Sequence, residues 1–105
     1  MYEDYKIEKH EDHAVIYLPR KVFVPSSTGY RESLKSLFEE GYNKIIIDCK
    51  DLKMFDTAAM YWTATFQKKL RKNGGYVKFV NVVDPYIKQV FRTIELKKIV
   101  DIEEK

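Results

Sequence analysis

The chain has 105 residues, 45% hydrophobic, 14% aromatic and 33% charged, with a net charge of +3 and one cysteine. That length suits one hydrophobic core, so a single domain over residues 1–105 is expected, needing neither disulfide nor structural metal to fold. Cys49 has no partner for an internal disulfide, which points to a reducing compartment. The opening MYEDYKIEKHED is charged where a secretion signal would be apolar, and no apolar run approaches the length of a membrane span. A cytoplasmic protein without membrane insertion is expected. A charge of +3 is also too mild for a nucleic-acid footprint, so no nucleic-acid partner is expected.

In chain order, YKIEK and HAVIYLP read as a hairpin, with HEDH as its turn and Pro19 ending the second strand. In VFVPSSTGYRESLKSLFEEG the period changes. Tyr30, Leu34, Leu37 and Phe38 share one helical face, with Ser26 or Ser27 as cap and Gly41 as stop. NKIIIDC suits a central parallel strand covered on both faces. TAAMYWTATFQKKLRKNGG follows as a second amphipathic helix, burying Ala59, Trp62, Phe66 and Leu70. Lys68, Lys69, Arg71 and Lys72 crowd its end, where cations meet the negative pole of the helix dipole. YVKFVNV alternates as a strand, and Asp84-Pro85 opens a third helix that buries Ile87, Val90, Phe91 and Ile94. KKIVDIEEK supplies a last strand. The expected order is β-β-α-β-α-β-α-β, an α/β fold with a four- to five-stranded mixed sheet and three to four helices.

Enzymatic constellations are sparse. Gly74 and Gly75 follow a helix rather than opening one, the wrong side for a phosphate loop. His10 and His13 read as exposed turn histidines with no cysteine to complete a zinc site, and Cys49 reads as core packing. Asp48, Asp51 and Asp56 share one connection at the C-terminal edge of the sheet, where a small enzyme could hold a divalent cation. The plainer assignment makes Asp51 a turn residue and Asp56 a helix cap. No cofactor or metal is expected, and no catalytic residue.

Thr57 stands apart. A hydroxyl at a helix start projects beyond the packed face, and a phosphate there would meet free backbone N–H groups and the positive dipole end. The fold would tolerate the modification, while the surrounding surface would gain nearly two negative charges.

The strand ending in Asp48, the run DLKMFDTAAM, the helix closing in NGGYVKFVNV and the segment ELKKIVDI together resemble the STAS domain of bacterial anti-sigma factor antagonists. The likeness extends from about Tyr5 to Ile102. Asp56, Thr57, Ala58 and Ala59 occupy the family's signature of an aspartate, a phosphorylatable hydroxyl and small residues, and Gly74-Gly75 and Leu96 also correspond. The family's second hydroxyl and glycine are here Ala58 and Ala59, and the loop before the first helix offers Arg20 and Lys21 instead of a glycine and an acid. The resemblance implies a binding module, not an enzyme. Its partner would be an anti-sigma factor that is itself a serine/threonine kinase, docking around Asp56, Ala58, Ala59, Met60 and Tyr61 with Arg20 and Lys21. That kinase would phosphorylate Thr57 and release it, and a phosphatase would reset the switch. The alternative is a STAS scaffold or subunit of a larger signalling or transport assembly that is never phosphorylated.

Overall fold

The computed structural model describes residues 5–23 and 27–105. Strands β1 (Lys6–Lys9) and β2 (Ala14–Tyr17) form the expected antiparallel hairpin, and β2 pairs in parallel with β4 (Lys44–Asp48). Parallel pairing continues through β6 (Tyr76–Val82) to β7 (Asp101–Glu104), giving a five-stranded sheet in the order β1-β2-β4-β6-β7. Helices α1 (Ser27–Glu39), α2 (Thr57–Lys72) and α3 (Pro85–Thr93) make the crossovers, and a 3-10 turn over Leu96–Lys98 precedes β7. The α/β class and the mixed sheet are as the periodicities indicate.

Two elements were not expected. Strands β3 (Lys21–Val22) and β5 (Met54–Phe55) pair with each other in parallel as a separate two-stranded sheet. Two residues carry no readable period, and pairing alone defines them.

Other differences have local causes. In β4, Ile45 and Ile47 are buried but Ile46 is half-buried, so this strand is covered on one face rather than two. The ladder neighbours of Ile46 on that second face are Val15 and Lys78, and the lysine leaves the row wet. Trp62 is half-buried, with the Arg31 guanidinium 5.0 Å from its ring. Ile94 caps the C-terminus of α3 and is 43% exposed, because the helix ends one residue before it. Ser26 lies outside the described residues, and Ser27 is already helical.

Helices α1 and α2 end alike. The Gly41 N–H donates to Phe38 O and the Tyr42 N–H to Leu37 O; the Gly74 N–H donates to Arg71 O and the Gly75 N–H to Leu70 O. These are two Schellman closures, with Gly41 (φ 99°) and Gly74 (φ 76°) in the positive-φ position that a side chain would strain.

One buried amide holds the far side together. The Val77 N–H donates to Gln67 Oε1, and Gln67 Nε2 donates to the Ile99 carbonyl at 3.1 Å. Pairing of β7 with β6 begins at Lys78, so Val77 has no strand partner on that side and the α2 side chain supplies one. Gln67→Leu is expected to leave both backbone groups without this partner and to cost about 2 kcal/mol. Chemical denaturation of the two proteins checks it.

Candidate functional site

Thr57 is the first residue of α2 and is exposed. Asp56 is its N-cap in extended conformation, with Oδ1 accepting the Ala59 N–H at 2.9 Å. The cap thus satisfies one orphan donor of the first turn.

The small β3–β5 sheet fixes what surrounds this helix start. The Asp56 N–H donates to Val22 O at 2.9 Å, and the Lys53 and Met54 N–H groups both donate to Arg20 O at 2.7 and 3.0 Å. The Arg20–Lys21 loop is therefore laced to the strand that leads into Thr57. Both cations are exposed.

Beneath the surface sits an aromatic cluster. Phe55, directly before the cap, packs edge-on to Tyr30, Phe79 and Phe91 at centroid distances of 5.6, 5.8 and 5.7 Å. The Tyr30 hydroxyl and Thr63 Oγ1 share a buried hydrogen bond of 2.6 Å, tying α1 to α2. Burial pushes the Tyr30 phenol far above its ordinary pKa, so it stays neutral.

Of the residues expected at the partner surface, Arg20, Lys21, Thr57 and Tyr61 are exposed, while Asp56 and Ala58 are half-buried. Ala59 is buried and offers a partner nothing but the backbone it uses in the cap. Met60 packs against the core. Tyr61 is 63% exposed, and its ring meets that of Trp62 edge-on at 5.1 Å. Among the exposed apolar side chains that escaped the sequence reading are Phe23 at 38% and Met54 at 42%, both at the small β3–β5 sheet. Their exposure follows from β3–β5 pairing, for which the sequence carries no periodic signal.

The cation-site alternative does not survive. Asp48 uses Oδ1 to accept the Lys50 N–H at 2.9 Å and Oδ2 to accept from Asn81 Nδ2 at 2.8 Å. Asp56 caps α2, and Asp51 is exposed. Among the described residues no group of three or more His, Cys, Asp or Glu side chains converges to hold a metal.

Cys49 is buried, and desolvation first, then the nearby Asp48 charge, hold its thiol well above the ordinary range. It is expected to resist a thiol reagent in the folded protein and to react on unfolding, which a colorimetric thiol assay with and without denaturant reads.

A third loop is tied in through Asp84, the N-cap of α3. Its carboxylate accepts from Lys53 Nζ at 3.0 Å and from the Ile87 N–H at 3.1 Å. Lys53, then Ile87, hold the Asp84 carboxyl below its ordinary range. A depressed folded pKa means stability that is present above the unfolded value of about 4 and is lost as pH falls through the folded one. Asp84→Asn is expected to flatten the acid limb of the stability–pH curve below about pH 4. Thermal melts at stepped pH check it.

The sequence profile of the STAS domain matches residues 4–105. No curated protein matches the chain by sequence. Among solved structures, the anti-sigma factor antagonist SpoIIAA in its unphosphorylated form superposes with a TM-score of 0.80 at 16% identity, covering 96% of this chain and 87% of that one. The phosphorylated form of SpoIIAA, a Bacillus cell fate determinant, gives 0.73 at 16% identity over 96% of this chain and 90% of that one. An anti-sigma factor antagonist from Mycobacterium paratuberculosis gives 0.82 at 14% identity over 94% of this chain and 83% of that one. At these identities the likeness is one of fold.

Proposed function

Because this chain belongs to the STAS domain family, we propose that it is an anti-sigma factor antagonist, a protein-interaction module switched by phosphorylation at Thr57. The carrying observation is the exposed Thr57 at the capped start of α2, two residues after the strand β5 that pairs with Lys21–Val22. A phosphate there carries a charge of roughly −1.5 to −2 and meets the positive end of the helix dipole. The fold keeps its cap and core, while the docking surface changes sign locally.

The partner is an anti-sigma factor with serine/threonine kinase activity, and a phosphatase restores the unmodified form. The chain is the substrate of that kinase and competes for it, with no catalytic role of its own. The system operates in the cytoplasm; no helix among the described residues is long and apolar enough to cross a membrane. In the docked state Tyr61, Met54 and Phe23 supply apolar contact and Arg20 and Lys21 the charged rim. Met54→Ala is expected to weaken partner binding about tenfold while leaving stability within about 0.5 kcal/mol, measured by titration calorimetry and thermal melting.

The test is incubation with the cognate kinase and ATP, read by intact-mass spectrometry. One phosphoryl group is expected on the wild type and none on Thr57→Ala. No mass gain with any co-encoded kinase would overturn the switch. That outcome would favour a second reading, a STAS scaffold or subunit of a larger signalling or transport assembly, which the 63% exposed Tyr61 supports as a permanent contact.

A further inference from the structure

Where α3, the 3-10 turn and β7 meet, the surface opens into a cavity of about 600 Å³, a size suited to a small organic molecule. The bend at Glu95 shapes it. This residue follows α3 with φ 55° and ψ 39°, the left-handed conformation usually left to glycine. Beyond the bend Leu96 returns to the core, while Lys97 and Lys98 stay exposed at the cavity. Phe91 and Ile102 give the cavity its apolar wall: Phe91 belongs to the core, and Ile102 is half-buried on the core-facing side of β7. The remaining lining is charged, and most of it is already paired. Glu104 grips Arg92 with both oxygens, Nε to Oε2 at 3.2 Å and Nη2 to Oε1 at 2.5 Å, and Glu95 takes Lys98 Nζ at 3.1 Å. Lys97 makes no ion pair among the described residues, so the cavity carries one surplus positive charge beside an apolar wall. Asp101 and Glu103 do not cancel it. They alternate to the opposite face of β7, where Lys78 takes Glu103 at 2.6 Å.

We propose that this cavity binds a small amphipathic carboxylate, an apolar chain or ring with one anionic head, its tail against Phe91 and Ile102 and its head at Lys97. The single charge of a carboxylate matches the single surplus cation, whereas a phosphate ester would bring nearly two charges. Removing the tail from water drives binding. The Lys97 ammonium selects and orients the head and adds a smaller share, because an exposed ion pair is weak. Arg92 remains with Glu104 and holds the wall between α3 and β7 in place. A bound molecule bridges the 3-10 turn to β7, the edge strand of the sheet. The site shares no residue with the surface around Thr57 and does not depend on its modification.

The experiment titrates the full chain with 4-phenylbutyrate at neutral pH, following backbone amide signals by NMR. The signals of Arg92, Lys97, Lys98 and Ile102 are expected to move most and to saturate at one molecule per chain, with a dissociation constant of about 1 mM or tighter. Two fragments separate head from tail. Acetate should give no saturable shift, and 4-phenylbutan-1-ol, which keeps the ring and lacks the charge, should bind about threefold more weakly than the acid. Lys97→Gln should weaken the acid about threefold and leave the alcohol unchanged, and Lys97→Glu should weaken the acid about tenfold. Ile102→Ser should weaken acid and alcohol alike, about fivefold. Thermal melting checks each variant, and the Lys97 variants alter only an exposed side chain, so they decide the matter even if Ile102→Ser fails to fold. No saturable shift at about 10 mM acid, several molecules bound per chain, equal binding of acid and alcohol, or unchanged affinity in Lys97→Glu would overturn the site.

Discussion

Gly75→Ala is expected to be among the most damaging single-methyl changes in the chain. A Cβ on Gly75 would lie 1.7 Å from the Asn43 carbonyl oxygen and 2.5 Å from its carbon, both backbone atoms. Neither can swing aside. The same oxygen accepts the Tyr76 N–H at 2.8 Å, at the point where β4 and β6 begin to pair. Relief therefore means separating the two central strands, or breaking the closure in which the Gly75 N–H holds Leu70 O. Overpacking of this kind costs about 3 kcal/mol or more, a melting-temperature fall of roughly 12 °C or more for a domain of this size. Gly41→Ala is the internal control. Gly41 has φ of 99° but no atom within 4 Å of a built Cβ, so only backbone strain of about 1–2 kcal/mol applies. Thermal melting of the two variants side by side separates close approach from conformational freedom.

Phe55→Ala is expected to cost about 3–5 kcal/mol. The side chain touches Tyr30, Phe79 and Phe91 at once, and a cavity at their junction cannot collapse without moving helices α1 and α3. Phe55 also precedes the Asp56 cap and pairs with Val22. Its removal should loosen the helix start on which Thr57 is presented, so partner binding falls along with stability. Phe55→Leu, which refills most of the volume, should recover most of both. Denaturant unfolding and calorimetry on the three proteins provide the measurement.

The strands and helices of the main sheet were legible because their periods are long enough to read. Tyr30, Leu34 and Leu37 on α1, and Ala59, Phe66 and Leu70 on α2, are all buried as spacing demands. The caps at Asp56 and Asp84 were legible from residue type, because only a short oxygen-bearing side chain reaches the first-turn amides. The Asp56–Thr57 junction could be placed from the sequence for the same reason. Its surroundings could not. Arg20 reaches the site through backbone bonds between two-residue strands, and Met54 and Phe23 are exposed because Phe55 and Val22 beside them turn inward. That outcome depends on pairing between segments more than thirty positions apart, which leaves no local pattern. Trp62 shows the opposite limit. Its spacing marks it as core, yet Arg31 rather than the sheet covers its outer side. Gln67 was invisible for a third reason: a buried polar residue looks like a flaw in an amphipathic helix until the Val77 N–H that donates to it is seen beneath it.

The central claim is that charge on Thr57 governs docking, and one affinity measurement tests it directly. The anti-sigma factor kinase proposed as the partner is titrated with the unmodified protein, with the protein phosphorylated on Thr57, and with Thr57→Ala. Repulsion and desolvation of a buried phosphate should weaken binding about 100-fold in the phosphorylated form, near 2.7 kcal/mol, while Thr57→Ala binds like the unmodified protein. Equal affinity for the phosphorylated and unmodified forms would contradict the account.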